Sequence, residues 1–173
     1  MPFSLYDATV ASFQQGLAAL ETILGRAQTH FAQQGTPLGE IVDARLAPDM
    51  LPFGFQIVSA AHHSMGALSG ARQGLFKPPS PPEGLDFAGL QVLVAQARRG
   101  LGELPRDEVN ALEGKDMVFQ LGERRLPFLA EDFLLSFSVP NFSFHATTAY
   151  DLLRQRGLPL GKRDYLGRLR LKA

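Results

Sequence analysis

The sequence has no cysteine, no net charge and no long apolar run, and each absence removes a class of function. Without cysteine there is no disulfide framework, no thiolate nucleophile and no sulfur-ligated metal or iron–sulfur cluster. Seventeen lysines and arginines stand against seventeen aspartates and glutamates, which points to neither a nucleic-acid partner nor a polybasic membrane binder. No stretch approaches about 18 uncharged apolar residues, and the start, Met1-Pro2-Phe3-Ser4, lacks a basic segment followed by an apolar one. The chain reads as soluble, unexported and cytoplasmic. There is also no Gly-x-Ser-x-Gly elbow, no glycine-rich phosphate loop, no His-Glu-x-x-His and no His-x-x-x-His.

What is present is a pattern of helices. With 173 residues, 45% of them hydrophobic, the chain suits one domain over residues 1–173 that buries roughly 70% of its unfolded surface. Val10, Phe13, Leu17, Leu20, Leu24, Ala27 and Phe31 recur at alternating spacings of three and four, the seam of a bundle helix. Ser4 and Asp7 resemble a capping box at its start, and Gly35 marks its end. The spacing predicts a helix of about 30 residues, hence roughly 45 Å.

After a connection over 36–50 with one helical turn near Glu40–Arg45, a second helix is expected from Asp49 to about Gly74. Pro52 falls in its first turn, and Leu51, Phe55, Val58, Ala61, Met65 and Leu68 form its apolar face. Asp86 caps a third helix carrying Phe87, Leu90, Val94, Ala97, Leu101 and Leu104 and ending before Pro105, with Leu85 and Leu90 as a hydrophobic staple. The linker Lys77-Pro-Pro-Ser-Pro-Pro82 favours an extended conformation. Its reach of about 37 Å exceeds the ~33 Å of the second helix, so the second and third helices can lie parallel.

Residues 116–128 change to period two around Gly122-Glu123, which predicts a small β-hairpin rather than a sheet. A fourth helix starts near Ala130. Pro140 should kink or interrupt it, having no N–H to return to Ser136, and it resumes to Gly157 with Arg154 and Arg156 in its last turn. The last 24 residues carry seven basic side chains and two acids, and read as a solvated tail.

Four histidines are candidates for chemistry: His30, His62, His63 and His145. Projected at 100° per residue, His145 falls about 20° from the centre of the stripe Phe142, Ala149, Leu152 and Leu153, so its ring points into the bundle. On the second helix, His62 lies about 60° from the apolar centre and His63 about 160°, which turns His63 to solvent; His30 flanks the first seam at about 100°. His62 and His145 are thus candidate ligands for a divalent ion such as Zn or Ni, although a third ligand is missing because the residue four after His145 is Ala149. Asn141, Thr147, Thr148 and Tyr150 surround His145 in sequence, and Asn141 and Tyr150 join it as pocket candidates. A buried histidine more often bonds a protein oxygen than an ion, and helix capping accounts for these polar neighbours equally well.

The segments Leu5-Tyr-Asp-Ala-Thr-Val10, Asp43-Ala-Arg-Leu-Ala-Pro-Asp-Met50, Pro140-Asn-Phe-Ser-Phe-His-Ala-Thr-Thr-Ala-Tyr150 and Gly161-Lys-Arg-Asp-Tyr-Leu-Gly167 resemble an uncharacterised bacterial domain family of the DinB/YfiT-like metalloenzyme superfamily. The resemblance covers nearly the whole chain. It implies an all-α fold, a four-helix bundle in up-down-down-up order with a long crossover between helices two and three, and frequent homodimers. It also implies a divalent metal held by a second-helix histidine and a His-x-x-x-His pair on the last helix; members of the superfamily include thiol-dependent transferases and isomerases. Only His145 matches that pair, and His62 or His63 corresponds to the second-helix ligand. Two readings follow: a metal-assisted enzyme of unidentified substrate with a central pocket near His145, or a non-catalytic dimeric binding or assembly module that has lost the metal site.

Overall fold

The first long helix is interrupted where Thr9 folds its side chain back on the backbone. In the computed structural model, which describes residues 3–80 and 84–172, Thr9 is buried and its hydroxyl donates to the Leu5 carbonyl (2.6 Å), dividing the helix into Leu5–Ala8 and Val10–Gln33. Ser4 accepts from the Asp7 N–H (3.4 Å) and donates its hydroxyl to the Asp7 carboxylate (2.9 Å). Gly35 closes the far end at φ +67°, a left-handed conformation suited to glycine.

Among the described residues, three further long helical stretches pack with the first. The second comprises Phe53–Ala61, a wide π-helical turn at His62–Gly66, and Ala67–Gln73; the third is Phe87–Gly102, capped by Asp86, which accepts from the Gly89 N–H (2.8 Å). The fourth runs through Ala130–Asp132, a second π turn at Phe133–Ser138, and Val139–Gln155. The first packs chiefly on the third and the second on the fourth, with the second also touching the third. The first-helix seam is buried throughout, as are Phe87, Leu90, Val94, Ala97 and Leu101 of the third.

The second helix departs from the expectation at both its start and its face. It begins at Phe53, not Asp49, because Pro52 is extended (φ −70°, ψ 169°) and a residue before proline avoids helical geometry. Leu51 therefore lies outside the helix and is 47% exposed. The buried face is Phe53, Ile57, Ala60, Ala67 and Ala71 together with the expected Ala61 and Leu68, joined by the polar Gln56, Ser59, His63 and Ser64. Ser64 meets this burial by donating to the Ala60 and Ala61 carbonyls (2.9 Å each). Phe55, Val58 and Met65, read from sequence as core, sit at the edge of the face.

Pro140 does not break the fourth helix. The π turn immediately before it changes the backbone pairing, so the missing N–H falls in the first turn of Val139–Gln155. The predicted hairpin, Asp116–Leu121 (β2) with Arg124–Leu129 (β3), gains a third member: Leu75–Phe76 (β1) pairs in parallel with Val118 and Phe119, making a sheet in the order β1-β2-β3. A strand of two residues leaves no period to detect. The extended reach read for the proline-rich linker rests partly on Pro81 and Pro82, which lie outside the described residues.

The sheet keeps β3 as an open edge. Val118 donates its N–H to Gly74 (3.0 Å), toward β1, so the Val118 and Pro127 pair exchanges no hydrogen bonds and the amide nitrogen of Pro127 faces outward. Proline there removes a free donor from the exposed edge. Pro127→Val is expected to leave stability within about 0.5 kcal/mol while increasing self-association. Light scattering across a concentration series checks this, and an unchanged mass at the highest concentration would count against it.

The C-terminal segment is not a free tail up to Gly167. Leu158 and Leu160 are buried, the helix Lys162–Leu166 lies on the first bundle helix, Arg26 pairs with Asp164 (2.5 Å), and Gln15 donates to the Leu166 carbonyl (2.9 Å). No helix of the described residues is long and apolar enough to cross a membrane.

Candidate functional site

The wide turn at His62–Gly66 sets where two adjacent imidazoles go. His63, expected in solvent, is 5% exposed, because the helix buries the Phe53–Ile57–Ala60 face rather than the Leu51–Phe55–Met65 one. Its ring packs among Phe76, Phe137 and His145, with centroids at 5.3, 5.6 and 5.9 Å, the two imidazole planes 17° apart. His62 turns another way: it donates its Nε2–H to the Lys77 carbonyl (2.6 Å), stacks near Phe76 (4.5 Å) and lines a cleft with Met65 and Leu93. Gly66 leaves room for this ring, since a Cβ there would lie 2.9 Å from His62 Nδ1.

His145 comes from the fourth helix, four residues beyond Asn141. The amide of Gln56 donates from Nε2 to the Leu51 carbonyl (2.8 Å), so its Oε1 is the end that meets His145 Nδ1 (2.8 Å). A carbonyl oxygen only accepts; His145 therefore carries its proton on Nδ1 and its lone pair on Nε2. Phe55 and Phe144 pack edge-on against the ring. Gln56, buried on the second helix, gives no sequence signal beyond being a polar residue within an apolar stretch.

The other polar candidates are hydrogen-bonded or packed within the protein, Asn141 and Thr148 to carbonyls of their own helix. Asn141 donates its amide to the Phe137 carbonyl (2.8 Å), Thr148 its hydroxyl to the Phe144 carbonyl (2.8 Å), and Thr147 to the Tyr165 hydroxyl (3.0 Å). Tyr150 packs against Tyr165, centroids 5.9 Å apart. His30 sits beside Phe31 on the first helix.

Burial holds the histidines neutral. Desolvation pushes His145 down to about 4 from 6.5, and desolvation, then the neighbouring His145 and His62, pushes His63 down to about 3. His62 is lowered by burial despite its carbonyl partner. At neutral pH these imidazoles are weak general bases, whose useful pKa lies near the working pH. Neutral imidazole is also the metal-ligating form, so the superfamily's ion must be tested against the donors present. His63 and His145 supply two nitrogens; the third position is Ala149, fully buried, and among the described residues no group of three or more histidines, aspartates or glutamates is placed to hold an ion. This donor set does not fit a three-ligand catalytic metal.

Comparison with known proteins agrees with the fold. No curated protein matches the sequence. Among solved structures the chain is similar to a DinB family member protein from Shewanella denitrificans, with a TM-score of 0.80 and 25% identity over 98% of this chain and 95% of that one. A family model described as a domain of unknown function, DUF1993, matches residues 5–166. The helices, the small sheet and this match across nearly the whole chain together establish that the protein belongs to the DUF1993 family and has a DinB-like fold.

Proposed function

We propose that this chain is a non-catalytic binding or assembly module, a homodimer built on a DinB-like bundle without the superfamily's metal site. The observation that carries the reading is Ala149 at the position of the third ligand, with His145 instead committed to Gln56. The phenylalanines packed around His63 support the same view, since they leave the imidazole pair in aromatic rather than carboxylate company. Exposed Phe144 (57%) and Leu135 (45%) on the fourth helix favour a paired surface. The reading includes the up-down-down-up helix order, which a long crossover between the second and third helices supports.

The competing reading is a metal-assisted enzyme in which Zn²⁺ or Ni²⁺ binds at His145 with His62 or His63. Protein purified without a polyhistidine tag decides between them. We expect no retained metal and no thermal shift with Zn²⁺ or Ni²⁺, together with a dimeric mass by light scattering. One equivalent of metal that survives dialysis and disappears in His145→Ala would overturn the proposal.

A further inference from the structure

A cavity of about 250 Å³, which His145 does not line, opens between the fourth helix, the first helix and the C-terminal helix Lys162–Leu166. Its walls are Phe13, Leu20 and Ile23 on one side and Val139, Phe142 and Ala146 on the other, with Tyr165 and Leu166 above. The space is framed on both sides. Arg26 ties Asp164 (2.5 Å) and the Pro159 carbonyl (2.6 Å) to the first helix, Gln15 holds the Leu166 carbonyl, and Thr147 of the fourth helix holds the Tyr165 hydroxyl. Phe142 forms a fixed wall: it lies over Gly16, where a Cβ would come within 2.6 Å of its ring, and packs edge-on to Phe13 at 5.2 Å. The walls therefore resist collapse into the gap.

The chemistry of the mouth differs from that of the walls. Ser12, Gln15 and Ser143 form a polar rim, and among the described residues no acidic side chain lines the cavity. Arg170 reaches Ser12 Oγ (3.5 Å), with the exposed Arg168 and Lys172 beside it in sequence. An apolar cavity of about 150 Å³ already holds a benzene ring, so this one has room for two fused rings or a chain of about eight carbons. An apolar body needs no partner inside, whereas a carboxylate at the rim would meet a hydroxyl and a guanidinium.

From the framed cavity and its cationic mouth we infer that this groove binds a small apolar carboxylate, its hydrocarbon between Phe142 and Ile23 and its charged end at Ser12 and Arg170. The inference is independent of whether an ion binds near His145.

Calorimetric titration of the full chain with octanoate and 1-naphthoate, and with 1-octanol as the uncharged control, tests it. Saturable one-to-one binding of the carboxylates is expected. Arg170→Gln should weaken octanoate about tenfold, the weight of one charge-assisted hydrogen bond, and leave 1-octanol unchanged. Ser143→Trp, at an exposed rim position, should abolish binding of all three without lowering the thermal midpoint. Absence of saturable binding to the wild type, undiminished binding in Ser143→Trp, or an Arg170→Gln effect equal for acid and alcohol would each overturn it. So would a dimer that excludes the probes by covering the groove with a second copy.

Discussion

Acidification from pH 7 to pH 5 is expected to remove several kcal/mol of stability, before most carboxylates are protonated. The folded-state pKa values of His145 (about 4) and His63 (about 3) lie below the 6.5 of an unfolded histidine, so at pH 5 the unfolded chain binds protons that the folded chain refuses. The contribution of each ring is whole above pH 6.5, shrinks as the pH falls below that value, and is gone below its folded pKa. The slope approaches about 1.4 kcal/mol per pH unit for each imidazole while it lasts. Asp7, held down to about 2 by Arg106 and Ser4, acts in the same direction but only below pH 3.8. Urea unfolding at a series of pH values checks this, with His63→Phe as the informative variant. Its aromatic ring fills the same space without a buried nitrogen, and the parent's His63 Nδ1 has no hydrogen-bond partner among the described residues. The variant should unfold less steeply with acid and be at least as stable at pH 7. A flat profile between pH 7 and pH 5 in the parent would show that these rings are not desolvated.

Truncation of Phe133 should cost most among single core changes, about 3–5 kcal/mol for Phe133→Ala. Its ring is fully buried and meets Phe76 of β1 (5.0 Å), Phe128 of β3 (5.8 Å) and Phe137 of its own helix (5.5 Å), so it joins the sheet to the bundle. Met117 and Phe119 of β2 face the same core, while the outer face of β3 is solvated. The loss should therefore be uneven: amide exchange over Asp116–Leu121 should accelerate more than over Val10–Gln33. Urea midpoints together with residue-resolved exchange test both parts. A loss under about 1 kcal/mol, or uniform acceleration, would mean that the sheet is held by other contacts.

How far the chain can be read without coordinates depends on whether its helices keep one period. The first and third do, and their seams from Val10 to Phe31 and from Phe87 to Leu101 are buried residue for residue. His145 projects inward from a stripe that lies wholly within Val139–Gln155, beyond the π turn, so a step of 100° per residue holds there. The second helix defeats the same method. Its inner face carries Gln56, Ser59 and Ser64, whose side chains look like surface, while Leu51 lies outside the helix and Phe55 and Met65 sit at the margin. An apolar centre drawn through Leu51, Phe55, Val58 and Met65 as well as the buried Ala61 and Leu68 is thus pulled off the core face and sends His63 outward. Gln56 was invisible for a related reason, since only tertiary packing shows that its carbonyl end meets an imidazole 89 positions away. β1 carries no sequence signal, because its two residues owe their pairing to a strand more than 40 positions later.

The widened turns at His62–Gly66 and Phe133–Ser138 have a further consequence for insertions and deletions. Each accommodates a residue that ordinary i to i−4 pairing would not, leaving the flanking segments in phase. Losing one position inside either stretch would relax it to plain α-helix and preserve the facing of everything downstream. The same loss in Ala67–Gln73 or Val139–Gln155 would turn the following side chains by about 100° and carry apolar residues into water. Length changes of one residue among homologous chains should therefore concentrate at these two turns.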